Sequence, residues 1–136
     1  MLIREQVKMH FSLITKIVLF GSPSRKSNSR INFSSVSLPS KYARQYIDVC
    51  SLQLKKIKNN KLFPIKNPDY YWVFDIYYSN KKSDASIELL FDILQKEGIV
   101  INDNIIREYK VNAKKFDKIT PRAIISIYEV ENENIE

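Results

Sequence analysis

Three carboxylates, Asp84, Glu88 and Asp92, fall four residues apart. In a helix that spacing lines them along one face. A fourth, Asp103, follows Gly98 after a stretch short enough to fold back toward the sheet. Hard oxygen ligands gathered this way suit Mg²⁺, which takes one or two carboxylates and fills its remaining positions with water and substrate phosphate oxygens. Such an ion activates water and neutralises charge developing on a phosphorus centre. The same residues also have an ordinary reading: Asp84 caps a helix, Glu88 and Asp92 make a solvated face, and Asp92 pairs with Lys96. Spacing alone leaves both readings open.

The chain around these acids is basic. It has 136 residues, with 22 Lys and Arg against 15 Asp and Glu, for a net charge of +7. Glu129, Glu131, Glu133 and Glu136 lie in the last eight residues, which hold no base, so residues 1–128 carry +11. That excess favours a polyanion as partner, most simply nucleic acid. Two glycines, Gly21 and Gly98, leave no room for a glycine-rich phosphate loop. Cys50 stands alone, so neither an internal disulfide nor a cysteine zinc site is available. The longest apolar run, Tyr70–Phe74, is too short to span a bilayer, and no secretory leader is legible at the start. A cytoplasmic protein with no membrane partner is expected.

The length suits one domain, expected over residues 1–136 with an N-terminal arm at 1–11 and a frayed acidic tail at 131–136. Residues 12–20 read as a strand ending at Gly21, and 21–39 as a long serine- and proline-rich loop made basic by Arg25, Lys26 and Arg30. Residues 40–59 read as a helix capped by Ser40, with Tyr42, Tyr46, Cys50, Leu54 and Ile57 as its apolar stripe. Residues 69–79 alternate strongly enough for a strand, with Tyr70, Trp72, Phe74, Ile76 and Tyr78 on one side. Residues 84–97 make the second helix, stopped by Gly98, with Ile87, Leu90, Phe91 and Leu94 inward. A strand at 105–112, a lysine-bearing loop at 113–120 holding Lys114 and Lys115, and a strand at 122–130 complete the order. The class is α+β, a small mixed sheet of about four strands with two helices.

This order, with particular residues in it, resembles the RusA family of Holliday-junction resolvases. Gly21-Ser22-Pro23-Ser24 and Ser27-Asn28-Ser29-Arg30 are similar to the family's first strand and following loop. Ser40-Lys41-Tyr42 and Tyr46 resemble the start of its first helix. Phe91-Asp92-Ile93-Leu94, Lys96-Glu97-Gly98, Asn102-Asp103 and Glu108-Tyr109-Lys110 track its central segment. The family signature Asp-x-Asp-Asn-x-x-Lys here reads Lys82-Ser83-Asp84-Ala85-Ser86-Ile87-Glu88. The resemblance implies a homodimeric, Mg²⁺- or Mn²⁺-dependent endonuclease that cuts four-way DNA junctions, cytoplasmic and nucleoid-associated when bound. It implies metal-ligand roles for Asp84 and Asp103. Lys82 and Glu88 look like an exchange of the signature's lysine with one of its carboxylates, which makes Glu88 a third candidate ligand and Lys82 a candidate phosphate contact. The basic residues expected on DNA are Arg25, Lys26, Arg30, Lys81, Lys110, Lys114 and Lys115. The departures at Lys82, Ala85 and Glu88 equally fit a relative that binds branched or duplex DNA without cutting it.

Overall fold

A computed structural model of the chain describes residues 6–23, 30–33, 36–39, 41–79 and 87–135. The main sheet has four strands, β1 (Gln6–Phe20), β4 (Tyr71–Tyr78), β5 (Glu108–Phe116) and β6 (Arg122–Ile135), in the order β1-β6-β4-β5. A separate hairpin pairs β2 (Arg30–Phe33) with β3 (Val36–Pro39). Two helices, α1 (Lys41–Lys55) and α2 (Ile87–Lys96), complete the fold. β6 runs antiparallel to both β1 and β4, while β4 and β5 are parallel, with α2 in the connection between them. The sheet is therefore mixed, and the α+β expectation holds.

Alternation in β4 sets the two sides of the sheet. Trp72, Phe74, Ile76 and Tyr78 are buried, and the residues between them are only partly so. Their side meets Ile125 and Ile127 of β6, Ile17 and Leu19 of β1, and the apolar stripes of both helices. α1 contributes Ala43, Tyr46, Cys50 and Leu54, at helical spacing; α2 contributes Leu89, Leu90, Ile93 and Leu94. Ile87 and Phe91, expected inward, pack against this core half-buried, and Leu89 and Ile93 lie deeper. Gly98 ends α2 at φ +74°, the left-handed conformation in which glycine carries no Cβ penalty.

Several element boundaries differ from expectation, each because a neighbouring strand supplies a ladder. The serine-rich stretch contains the β2–β3 hairpin, joined at Phe33 and Val36. Ile31 and Phe33, and then Val36 and Leu38, alternate with period two within each strand, a pattern too short to stand out among the serines. Lys114 and Lys115 belong to β5 rather than to a loop, because Tyr77 and Tyr78 pair with Lys115 and Phe116. Residues 131–135, expected to fray, continue β6, and the N-terminal arm supplies their partner: Gln6 stands opposite Ile135 and His10 opposite Glu131. Beyond Tyr128, where β4 begins, β1 and β6 run on as a two-stranded ribbon. Ser40, the expected cap of α1, lies outside the described residues.

A β-bulge in β1 between Leu13 and Thr15 has a large consequence. One extra residue reverses the side to which all following side chains point. Ile17 and Leu19 face the helices, whereas Leu13, Phe11 and Met9, of the same parity, emerge on the opposite side and are 53%, 50% and 54% exposed. There Phe11 packs edge-on against Tyr71 and Tyr128, with ring centroids 5.5 and 6.4 Å away.

Candidate functional site

The crossover from β4 through α2 to β5 positions the acidic residues. A helix linking two parallel strands runs back antiparallel to them. The N-terminal end of α2 thus points toward the end of the sheet where β4 and β5 finish, and its C-terminal end toward the end where they begin. Glu88 stands exposed in the first turn of α2. Asp103 opens a short 3-10 turn, Asp103–Ile105, just before β5.

That turn is held from both sides. Asn102 Oδ1 accepts the Asn104 N–H at 2.8 Å, and the Asp103 carbonyl accepts the Ile106 N–H at 3.0 Å. The Asp103 N–H donates to Oε1 of Gln95, in the last turn of α2, at 2.9 Å. Gln95 therefore positions Asp103, a role the sequence reading missed; a polar residue near a helix C-terminus followed eight residues later by an aspartate is a weak signal. The rise from Glu88 to Gln95 is about 10 Å along the helix axis. Ligands of one Mg²⁺ lie about 2.1 Å from it. The structure brings Asp103 to Gln95 and leaves Glu88 toward the other end of α2.

Among the described residues no three of His, Cys, Asp and Glu lie close enough to hold a metal ion. Asp84 and Lys82 fall outside the described residues, as do Arg25, Lys26 and Lys81. Arg30 lies in β2. Lys110 is exposed on β5 beside Val73, on the side of the sheet away from the helices and from Glu88. It borders a shallow cleft of about 510 Å³ with Phe11, Tyr71, Val73, Asn112 and Tyr128. Lys114 and Lys115 lie at the finishing end of β5, the end toward which α2 presents Glu88.

Two local networks stand apart from these residues. Asp117, between β5 and β6, accepts hydrogen bonds from the Thr120 N–H at 3.0 Å, Thr120 Oγ1 at 2.8 Å, Arg122 Nη1 at 2.8 Å and the Ile119 N–H at 3.1 Å. These bonds, those of Thr120 first, hold its carboxyl well below the usual carboxylate range. Arg122, so engaged, also stacks 3.9 Å above the Tyr77 ring. In α1, burial pushes the Cys50 thiol up to about 11. The phenol of Tyr46, one turn earlier, is raised by the same cause.

Comparison of the chain with protein-family models gives no match, and comparison with curated proteins gives none either. Among the described residues no helix is long and apolar enough to cross a membrane.

Proposed function

We propose that this protein is a metal-dependent, structure-selective endonuclease that acts as a homodimer on four-way DNA junctions in recombination and repair. The observation that carries the reading is the basic charge, a net +7, of a chain whose sequence sets Asp84 and Glu88 four residues apart. The ordered resemblance to the RusA family supports it across most of the chain.

Carboxylate oxygens are the right donors for Mg²⁺ or Mn²⁺. In sequence Asp84 and Glu88 are four residues apart, the spacing at which two carboxylates on one helix face can serve one ion. Asp103, tied to Gln95 at the opposite end of α2, is included as a ligand by family resemblance. A bound ion would supply a nucleophilic water and a counter-charge for the phosphate. Lys82 compensates charge on the attacked phosphate, while Lys114 and Lys115 hold flanking phosphates. Arg25, Lys26, Arg30, Lys81 and Lys110 add to the electrostatic attraction. Cleavage of a synthetic four-way junction, with Mg²⁺ or Mn²⁺ and with neither, tests the reading. Cutting only with metal is expected, and absence of cutting under all conditions overturns the nuclease.

A second reading draws on the substitutions at Lys82, Ala85 and Glu88: a junction-binding protein that does not cut. It expects unchanged junctions at every metal concentration, and cleavage gained when Lys82→Asp, Ala85→Asn and Glu88→Lys are combined.

A further inference from the structure

The helices cover one side of the sheet; its other side presents an apolar surface that stays exposed among the described residues. Because of the bulge in β1, Met9, Phe11 and Leu13 join Tyr128 and Val130 of β6 and Tyr71 and Val73 of β4 on that side. The first three are about half exposed, and the others are partly exposed. An antiparallel sheet with one solvated face ordinarily alternates apolar-in with polar-out. Here β1 and β6 carry apolar residues outward where solvent should select polar ones. Contiguous patches of this kind mark interaction sites.

The polar residues of this side lie around the patch. They carry charges of both signs: Lys16 on β1 and Lys110 on β5, Glu108 and Asp75, and Arg122, which is held by Asp117. Asn112 Nδ2 donates to Asp75 Oδ1 at 2.8 Å. A surface for phosphates would carry an excess of Lys and Arg. This arrangement, an apolar centre with a polar border of both signs, is that of a protein interface.

We infer that a second copy of this chain packs on this face, sheet against sheet, through Phe11, Leu13, Tyr71, Val73, Tyr128 and Val130. The inference rests on the homodimer in the proposed function and specifies its interface. Area supports a second copy over a small ligand. Four strands about 4.8 Å apart, with the ribbon continuing about seven residues past them, present roughly 700 Å² in plan. A stable specific interface buries about 800 Å² on each partner. A two-fold arrangement needs only one self-complementary patch, which this face supplies. Two such sheets pack about 10 Å apart through their facing side chains. The pairing also gives the two-stranded ribbon a cover, without which such a hairpin is marginal in water.

Sedimentation of the full chain without DNA tests this. At micromolar concentration the protein should run at twice the 16.0 kDa of one chain, and remain so at about 0.5 M salt, where surface charge is screened. Phe11→Glu with Leu13→Glu should shift it to 16.0 kDa with an unchanged circular dichroism spectrum. Met9→Lys, on the ribbon and clear of the helix-packed core, should weaken association at least tenfold even if the double variant fails to fold. Leu52→Glu, at an exposed position on α1, should leave the dimer intact. A native chain that stays monomeric overturns the inference, as does a dimer indifferent to both Met9→Lys and the double variant. Outer-face variants that stay dimeric yet lose junction binding would assign the face to DNA and equally overturn it. Junction cleavage is read separately: a dimer that does not cut refutes the nuclease alone, and cutting by a monomer refutes the interface alone.

Discussion

Glu88 and Asp103 separate two ideas that spacing alone merges. Replacement of Glu88 by Ala should abolish junction cleavage while binding persists or strengthens slightly, since a carboxylate that repels phosphate is gone. Asp103→Ala should also abolish cleavage if it shares the ion, and should spare it if Asp103 only shapes the turn that Gln95 holds. Activity that survives Glu88→Ala refutes the exchange of charges inferred from Lys82 and Glu88. Cys50 provides a check on the fold at the same scale. Its thiol is fully buried and its ionisation is pushed up to about 11, so a thiol reagent at pH 8 should label it only after denaturation. A raised folded-state value means the folded form holds the proton more tightly. The stability linked to Cys50 is therefore full below the ordinary thiol range of about 8.5 and declines as pH rises toward 11. Rapid labelling of native protein at pH 8 would contradict the packing of α1 against the sheet.

α1 is fastened to the sheet by more than its stripe. The Gln53 side-chain amide accepts the Phe20 N–H and donates to the Phe20 carbonyl, each at 2.8 Å, pairing with the outer edge of β1 as another strand would. Two such bonds at a partly solvated site contribute about 1–2 kcal/mol. Gln53→Ala should lower unfolding stability by that amount in a urea titration with no change of slope, and Gln53→Glu should lower it further because a carboxylate oxygen then stands against the Phe20 carbonyl oxygen. No sequence pattern advertises such a clip, because its partners lie 33 residues apart. What was legible followed from periodicity: the Tyr46–Cys50–Leu54 stripe, the alternation of β4 and the stop at Gly98. Boundaries set by pairing were not. β5 runs through Lys114 and Lys115, and β6 through residues 131–135, because β4 and β1 lie alongside with open ladder positions; local preference for charge and loop yields to those bonds. The bulge in β1 was equally hidden, so the apolar residues before it read as ordinary alternation. Of the candidate site, the acidic positions could be read from spacing, but their division between the two ends of α2 required knowing the direction of the crossover.

For the whole molecule the charge distribution makes a prediction that does not depend on cleavage. Residues 13–128, the body, carry +10, while Glu129, Glu131 and Glu133 fall on the ribbon, which extends beyond the four-stranded part of the sheet. DNA should therefore approach the body and avoid the ribbon. Each phosphate neutralised releases condensed counterions, so affinity for a junction should fall by orders of magnitude between about 50 and 200 mM salt. Lys114 and Lys115 fall in β5, at the sheet edge and toward the end of the crossover that carries Glu88. Replacing both by Ala should weaken binding about equally for junctions of any sequence and reduce the slope of log affinity against log salt by about 2. Replacing Glu131 and Glu133 by Gln, on the ribbon, should leave that slope within about 0.5 of wild type, because residues that touch no phosphate release no counterions. A slope unaffected by the lysine pair but steepened by the ribbon variants would place DNA on the ribbon instead, and the finishing end of β5 would then have no part in holding it.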